Sequence, residues 1–264
     1  MTSNEQRATG NETSKRRPLR EQPISRLFPN MITIAGLCCG LSAIRFGMAG
    51  RWEMAVGFIL AAALIDGMDG RVARMLGATS LFGAQLDSLS DFMCFGVSPV
   101  LVLYMWQLHD IKGIGWAVVL FFAVCMALRL ARFNTGLYDD SKEPWEKQFF
   151  TGIPAPAGGI LSLLPLVISL QFDNGFMLPP AVTACNVMLV GTLMASRIPT
   201  FAGKNIRIKH EYILQFMIAS SFLLVVFIIE PWLCLSVISL IYLASIYFSA
   251  RRWRRLKQES LQAN

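Results

Sequence analysis

The chain has 264 residues, 54% of them hydrophobic and only 16% charged, with a mean hydropathy of +0.50 and a formal charge of +7. A soluble domain of this length carries about a quarter charged residues, so composition excludes an ordinary globular protein and points to a chain that crosses a membrane repeatedly. Six cysteines scattered through apolar runs without a C-x-x-C pair, and two histidines in loops, His109 and His210, argue against a disulfide framework and against a zinc centre.

In chain order, residues 1–26 are polar, lack a signal-peptide core and carry a basic cluster, Lys15, Arg16, Arg17 and Arg20, which predicts a disordered basic tail on the cytosolic side. The sequon at Asn11 has no meaning on such a tail. Residues 27–250 then read as one transmembrane domain, and residues 251–264, opening on RRWRRLK, as a second basic cytosolic tail. Within the domain, apolar stretches near 28–49, 53–76, 84–107, 114–134, 153–171, 178–196, 211–229 and 231–250 are each long enough to predict a spanning helix of about 20 residues. The fold class is therefore an all-α polytopic membrane protein of about eight transmembrane helices, with Glu230-Pro231 marking the turn between the last two.

Basic residues set the orientation. They gather in the two tails, at Arg71 and Arg74, in RLARFN with the following SKEPWEKQ, and in SRIPTFAGKNIRIKH, whereas the intervening loops LHDIKG, QFDNG and IEPW carry one lysine between them. The positive-inside rule places both termini and every second loop in the cytosol, with Arg45 and Arg51 snorkelling at the outer face. Trp116, Trp145, Trp232 and Trp253 suit interfacial belts. The net charge belongs to these membrane-flanking segments, which makes lipid headgroups rather than nucleic acid its partner.

Against this background the stretch LIDGMDGRVARMLGATSLFGAQLDSLSD stands out, because an ionised carboxylate in hydrocarbon is costly unless it faces a cavity, a partner or a metal. Asp66, Asp69, Gly70 and Ala73 recur at i, i+3, i+4 and i+7, and Gly83, Asp87 and Asp91 at i, i+4 and i+8, so each set lies on one helix face. All four aspartates fall near the cytosolic ends of consecutive helices, where a polar active-site cavity is expected. Four carboxylates brought together repel one another unless a cation sits among them. An all-oxygen ligand set favours hard divalent ions, Mg²⁺ or Mn²⁺, and suffices for a pair suited to phosphoryl chemistry. A cation transporter is the alternative of another class, but it would spread its acidic residues across the membrane depth.

The spacing D-x2-D-G-x2-A-R-x8-G-x3-D-x3-D, from Asp66 to Asp91, resembles the signature of the CDP-alcohol phosphotransferase family at every fixed position. The stretches LFPNMITIAGLCCG, DFMCFGVSP, RLARFN, FFTGIPAPAGG and SRIPTFAGK are similar to the many-helix phosphatidylserine synthase branch of that family. The resemblance implies transfer of the phosphatidyl group from CDP-diacylglycerol to L-serine with release of CMP, in the inner membrane, with the active site on the cytosolic face. It implies Asp66, Asp69 and Asp87 as ligands of one metal, Asp66, Asp87 and Asp91 as ligands of a second, and Asp91 as general base. It also implies Gly70, Ala73 and Gly83 as the packing surface for the nucleotide, Arg74 as a contact to its polar part, and a homodimer.

Asn30 and Thr33 are candidate contacts to the CDP-lipid, although N-capping by Asn30 is an equal reading. Arg129 and Arg132, i and i+3 near the cytosolic end of the fourth helix, and Asn134 beside them, are candidates for the acceptor carboxylate or a phosphate, against the ordinary reading of topogenic positive charge. Arg197 and Lys204 are weaker candidates that suit anionic headgroups. Gly152, Pro154, Pro156, Gly158 and Gly159 suit a kink or close packing, and the Gly36 to Gly40 spacing suits helix packing or dimerisation. Within the family another acceptor, glycerol 3-phosphate, an inositol compound or choline, is the remaining alternative.

Overall fold

A computed structural model describes residues 28–75, 80–136, 149–172, 177–196, 199–201 and 212–263. The polar N-terminal segment, Trp145, Arg197, Lys204 and His210 lie outside the described residues. The regular elements among the described residues are helices apart from two three-residue strands. The first helices are α1 (Phe28–Met48), α2 (Trp52–Met75) and α3 (Leu81–Asp91), the last running through a π-helical turn (Phe92–Val97) into α4 (Ser98–Trp106). A 3₁₀ turn (Leu108–Ile111) leads into α5 (Lys112–Gly136), followed by β1 (Phe149–Thr151), α6 (Ala155–Ser162), α7 (Leu164–Leu170) and α8 (Pro180–Ala195). Strand β2 (Pro199–Phe201), α9 (Ile213–Ile229) and α10 (Pro231–Ala263) complete the order.

Among the described residues, three helical stretches are long and apolar enough to cross a membrane, Phe28–Met48, Leu81–Trp106 and Leu108–Thr135, and Pro180–Ala195, Ile213–Ile229 and Pro231–Ile246 form shorter apolar helices. Each of the eight apolar segments read from sequence is helical, with two interruptions. The fifth breaks at Leu163, where Asn186 Nδ2 of α8 donates to the freed carbonyls of Leu161 and Ser162, both at 3.1 Å. The third is interrupted by the π turn, where Ser98 Oγ donates to Met93 O at 2.8 Å. The expected C-terminal tail is a continuation of α10 as far as Ala263.

Packing rests on small residues. The buried stripe of α1, Pro29, Thr33, Gly36, Gly40, Ala43 and Gly47, recurs at helical spacing. A side chain added at Gly36 would meet Ile65 Cγ2 of α2 at 3.3 Å, and one at Gly40 would meet Cys94 Sγ of the π turn at 2.5 Å. The Gly36 to Gly40 spacing is thus occupied by packing within the chain. The π turn is ringed by neighbours: Gly96 faces Met126 of α5, and Phe95 faces Gly159 of α6. Phe95, Phe122, Ile59, Leu103 and Met126 form the fully buried centre. By contrast α9 buries none of its residues, and its Phe216, Phe222, Leu224 and Ile228 stand on the surface. In an aqueous protein such a helix would be untenable; in a bilayer this is the face that meets lipid.

Candidate active site

The acidic site is built by α1, α2 and α3. The N-terminus of α3 is fixed by Ser80, whose Oγ accepts from Gly83 N at 3.0 Å, so the helix starts a turn earlier than the apolar run suggests. That start places Asp87 and Asp91 on the face turned toward α2. Carboxylate oxygens of Asp66, Asp69 and Asp87 all lie within 4.8 Å of one another. Asp91 adjoins Asp66 within hydrogen-bonding reach, and its Oδ1 is buried without a hydrogen-bond partner among the described residues.

The first helix holds this arrangement in register. Thr33 Oγ1 donates to Asp69 Oδ2 at 2.9 Å, Ser90 Oγ donates to Thr33 O at 3.4 Å, and Cys94 Sγ lies 3.4 Å from Gly36 O. Among the described residues no lysine or arginine nitrogen comes within 4.0 Å of any of the four carboxylates, the one ion pair being His109 with Asp110. Four acidic groups with a buried orphan oxygen and no bonded counter-charge fit a divalent cation, because oxygen ligands without sulfur or nitrogen suit a hard ion and the repulsion among them needs one.

On one side of the carboxylates, Gly83 meets Asn30: a side chain at Gly83 would lie 2.9 Å from Asn30 Oδ1. Asn30 sits inside the first turn of α1, which begins at Phe28, so the capping role does not apply. Gly70 has open space where a side chain would stand, and Arg74 is exposed on the last turn of α2. The backbone of Ala73 belongs to α2, while its side chain lies outside the described residues.

On the other side stands α5. The Arg129 guanidinium lies within electrostatic reach of Asp66 and Asp91, and its Nε donates to Ile153 O at 2.5 Å. Arg132 turns elsewhere: Nη2 donates to Ala195 O at 2.7 Å and Nη1 to Ser196 O at 3.1 Å, at the C-terminus of α8. Asn134 Nδ2 donates to Ser88 Oγ at 3.1 Å, and that hydroxyl donates to Ala84 O.

Thr33, the four aspartates and Arg129 therefore converge, Asn30 and Gly83 meet at one edge, and Arg132 is engaged with backbone. Residues that sequence reasoning missed are Ser80, Ser88 and Ser90, all inside the acidic stretch itself, and Tyr242 of α10, which lies within electrostatic reach of Arg129. Ser88 and Ser90 had a signal, since each adjoins a signature aspartate, and Ser80 is a residue type that caps helices. Tyr242 had none.

Two acidic helix faces are thus closed by a third helix among apolar helices, and similarity to known proteins identifies the family. The family model for CDP-alcohol phosphatidyltransferase matches residues 26–195, and that for CDP-alcohol phosphatidyltransferase 2 matches residues 211–246. The chain belongs to the CDP-alcohol phosphatidyltransferase family.

Among its relatives, a Mycobacterium leprae protein is 37% identical over 86% of this chain and 76% of its own length. A Helicobacter pylori protein is 34% identical over 82% of this chain and 88% of its own, and one from Bacillus subtilis is 33% identical over 67% and 94%. All three are named CDP-diacylglycerol--serine O-phosphatidyltransferase.

Proposed function

We propose that the chain is a phosphatidylserine-forming transferase, which moves the phosphatidyl group of CDP-diacylglycerol to the hydroxyl of L-serine and releases CMP. The observation that carries this reading is the meeting of Asp66, Asp69 and Asp87 within 4.8 Å beside the buried orphan oxygen of Asp91. In the reaction the serine oxygen bonds to the phosphorus that carries diacylglycerol, the bond from that phosphorus to the CMP oxygen breaks, and the serine proton passes to the Asp91 carboxylate. Asp91 suits the base, because its free Oδ1 is available to a proton and Asp66 and Arg129 fix its surroundings.

Asp66, Asp69 and Asp87 would hold one divalent ion and Asp66, Asp87 and Asp91 a second, Mg²⁺ or Mn²⁺, which when bound would neutralise phosphate oxygens of the substrate. Asn30, Thr33, Gly70, Ala73, Arg74 and Gly83 form the nucleotide side; the open space over Gly70 supports it. Arg129 supplies the cation on the acceptor side, and Asn134 steadies that side through Ser88.

The proposed setting is the inner membrane. There α1, α2, α3–α4, α5, α6–α7, α8, α9 and α10 make eight passes of a single domain over residues 27–250, with both termini and the site cytosolic. The distribution of lysine and arginine supports this orientation. The family resemblance supports a homodimer, whose contact would use apolar faces other than the occupied Gly36 to Gly40 stripe.

The test is CMP release by the purified protein from CDP-diacylglycerol with L-serine, glycerol 3-phosphate, inositol and choline in parallel, with Mn²⁺ or Mg²⁺ and with chelator. Metal-dependent release with serine alone is expected. Release with another alcohol instead would overturn the serine assignment, and no release with any would overturn the transferase reading in favour of cation transport.

A further inference from the structure

Arg129 and Arg132 occupy successive turns of α5, yet they do different things. Arg129 uses Nε on Ile153 O and leaves its Nη atoms without a hydrogen bond to a described residue, on the side of Asp66 and Asp91. Arg132 places both Nη atoms on the carbonyls of Ala195 and Ser196. Those two anchor points are the roots of the two strands: Ile153 lies two residues after β1, and Ser196 three residues before β2. The strands pair antiparallel, Phe149 opposite Phe201, Phe150 opposite Thr200 and Thr151 opposite Pro199.

The roots also touch. Gly152 has φ +80°, and a side chain there would stand 2.7 Å from Met194 O and 3.0 Å from Ser196 O, so the backbone of one root rests on the carbonyl end of α8. A continuous path of contacts thus runs from Arg132 to the end of α8, to Gly152 and Ile153, and back to Arg129 beside the carboxylates. A guanidinium that spans two carbonyls is a directional anchor that no single ammonium reproduces.

We infer that Arg132 is a positioning residue for the acceptor: it clamps the β1–β2 ribbon, and the clamped ribbon sets where Arg129 presents its free Nη face. Arg132 itself contacts no substrate. This rests on the serine-transfer reading above.

The test compares wild type, R132Q, R132K and G152A as full-length protein in nanodiscs, with KM for serine and for CDP-diacylglycerol measured separately. In R132Q the KM for serine rises by about tenfold or more while that for CDP-diacylglycerol stays within about twofold, since misplacing one binding group leaves the other substrate's contacts intact. G152A gives the same split, and R132K recovers little of it. A Phe150→Cys/Thr200→Cys pair is then added to R132Q. Paired strand positions lie within disulfide range, so oxidation restores the serine KM and reduction removes the rescue.

An unchanged serine KM in R132Q, equal effects on both substrates, or no rescue by the cross-link in an oxidised, folded protein would each overturn the clamp. A wild type that releases CMP with another alcohol and not with serine would overturn the serine reading and this inference with it.

Discussion

Thr33 Oγ1 on α1 donates a 2.9 Å hydrogen bond to Asp69 Oδ2 on α2, and Thr33 is only 7% exposed. The bond fixes one oxygen of a carboxylate that lies within 4.8 Å of those of Asp66 and Asp87. A threonine that bears no charge thereby orients a member of the acidic cluster.

Thr33→Val keeps the shape and removes the donor. Outer hydrogen bonds to metal-ligating groups are worth about 10–100-fold in metal affinity, so the Mn²⁺ concentration for half-maximal CMP release should rise by about that factor, with Thr33→Ser close to wild type. An unchanged metal titration would show that Asp69 needs no such orientation.

Asp91→Asn preserves volume and removes the proton acceptor. CMP release should fall by about 10²–10⁴-fold, the range for loss of a general base, while the fold is kept because asparagine matches the carboxyl group in volume and can still hydrogen-bond Asp66. Activity within a few-fold of wild type would assign the base elsewhere.

Gly83→Ala and Gly70→Ala separate two uses of glycine. The first would place a methyl group 2.9 Å from Asn30 Oδ1, displacing that side chain, whereas the second enters open space. Both should raise KM for CDP-diacylglycerol without raising that for serine. Only Gly83→Ala should also lower the melting temperature, as measured in detergent by tryptophan fluorescence.

Gly40→Ala and Gly57→Ala test the packing. A methyl group at Gly40 meets Cys94 Sγ at 2.5 Å and Cys94 Cα at 3.0 Å, so over-packing should cost about 1–3 kcal/mol. Gly57 has nothing within 4 Å, and alanine there should be neutral or stabilising by about 0.5–1 kcal/mol through helix propensity. Equal melting temperatures for the two variants would contradict the close approach of α1 to the π turn.

Much of this site was legible because a carboxylate in an apolar run is conspicuous: the spacing of Asp66, Asp69, Asp87 and Asp91 carried both the shared faces and the chemistry. The helix segments were legible for the same reason, since hydropathy is a long-window signal. What escaped were local exceptions. The early start of α3 depends on one Ser80 hydrogen bond, and the breaks at Leu163 and in Phe92–Val97 fall inside uniformly apolar stretches. The partners of Arg132 escaped because they are backbone carbonyls, which leave no mark in the pattern of side chains. Charge near a helix end made Arg129 and Arg132 equal candidates, and only the geometry separates them, Arg129 beside Asp66 and Asp91 and Arg132 on the carbonyls that end α8.

The π turn after Asp91 bears on how this chain tolerates length changes. A wide turn holds one residue more than a regular one, so deleting a single residue within Phe92–Val97 would let the segment close into continuous α-helix. Its hydropathy and its reach across a bilayer would hardly change. Because the wide turn already absorbs that extra residue, the half carrying Asp87 and Asp91 would keep its phase relative to the half carrying Val100 and Leu103. A deletion in a regular turn of the same helix would instead rotate one half by about 100° against the other, turning the carboxylates away from α2 or the apolar residues away from the core. Such a variant would still insert and still span, yet would assemble no site, so a change of length is absorbed at the π turn and not in the regular turns beside it.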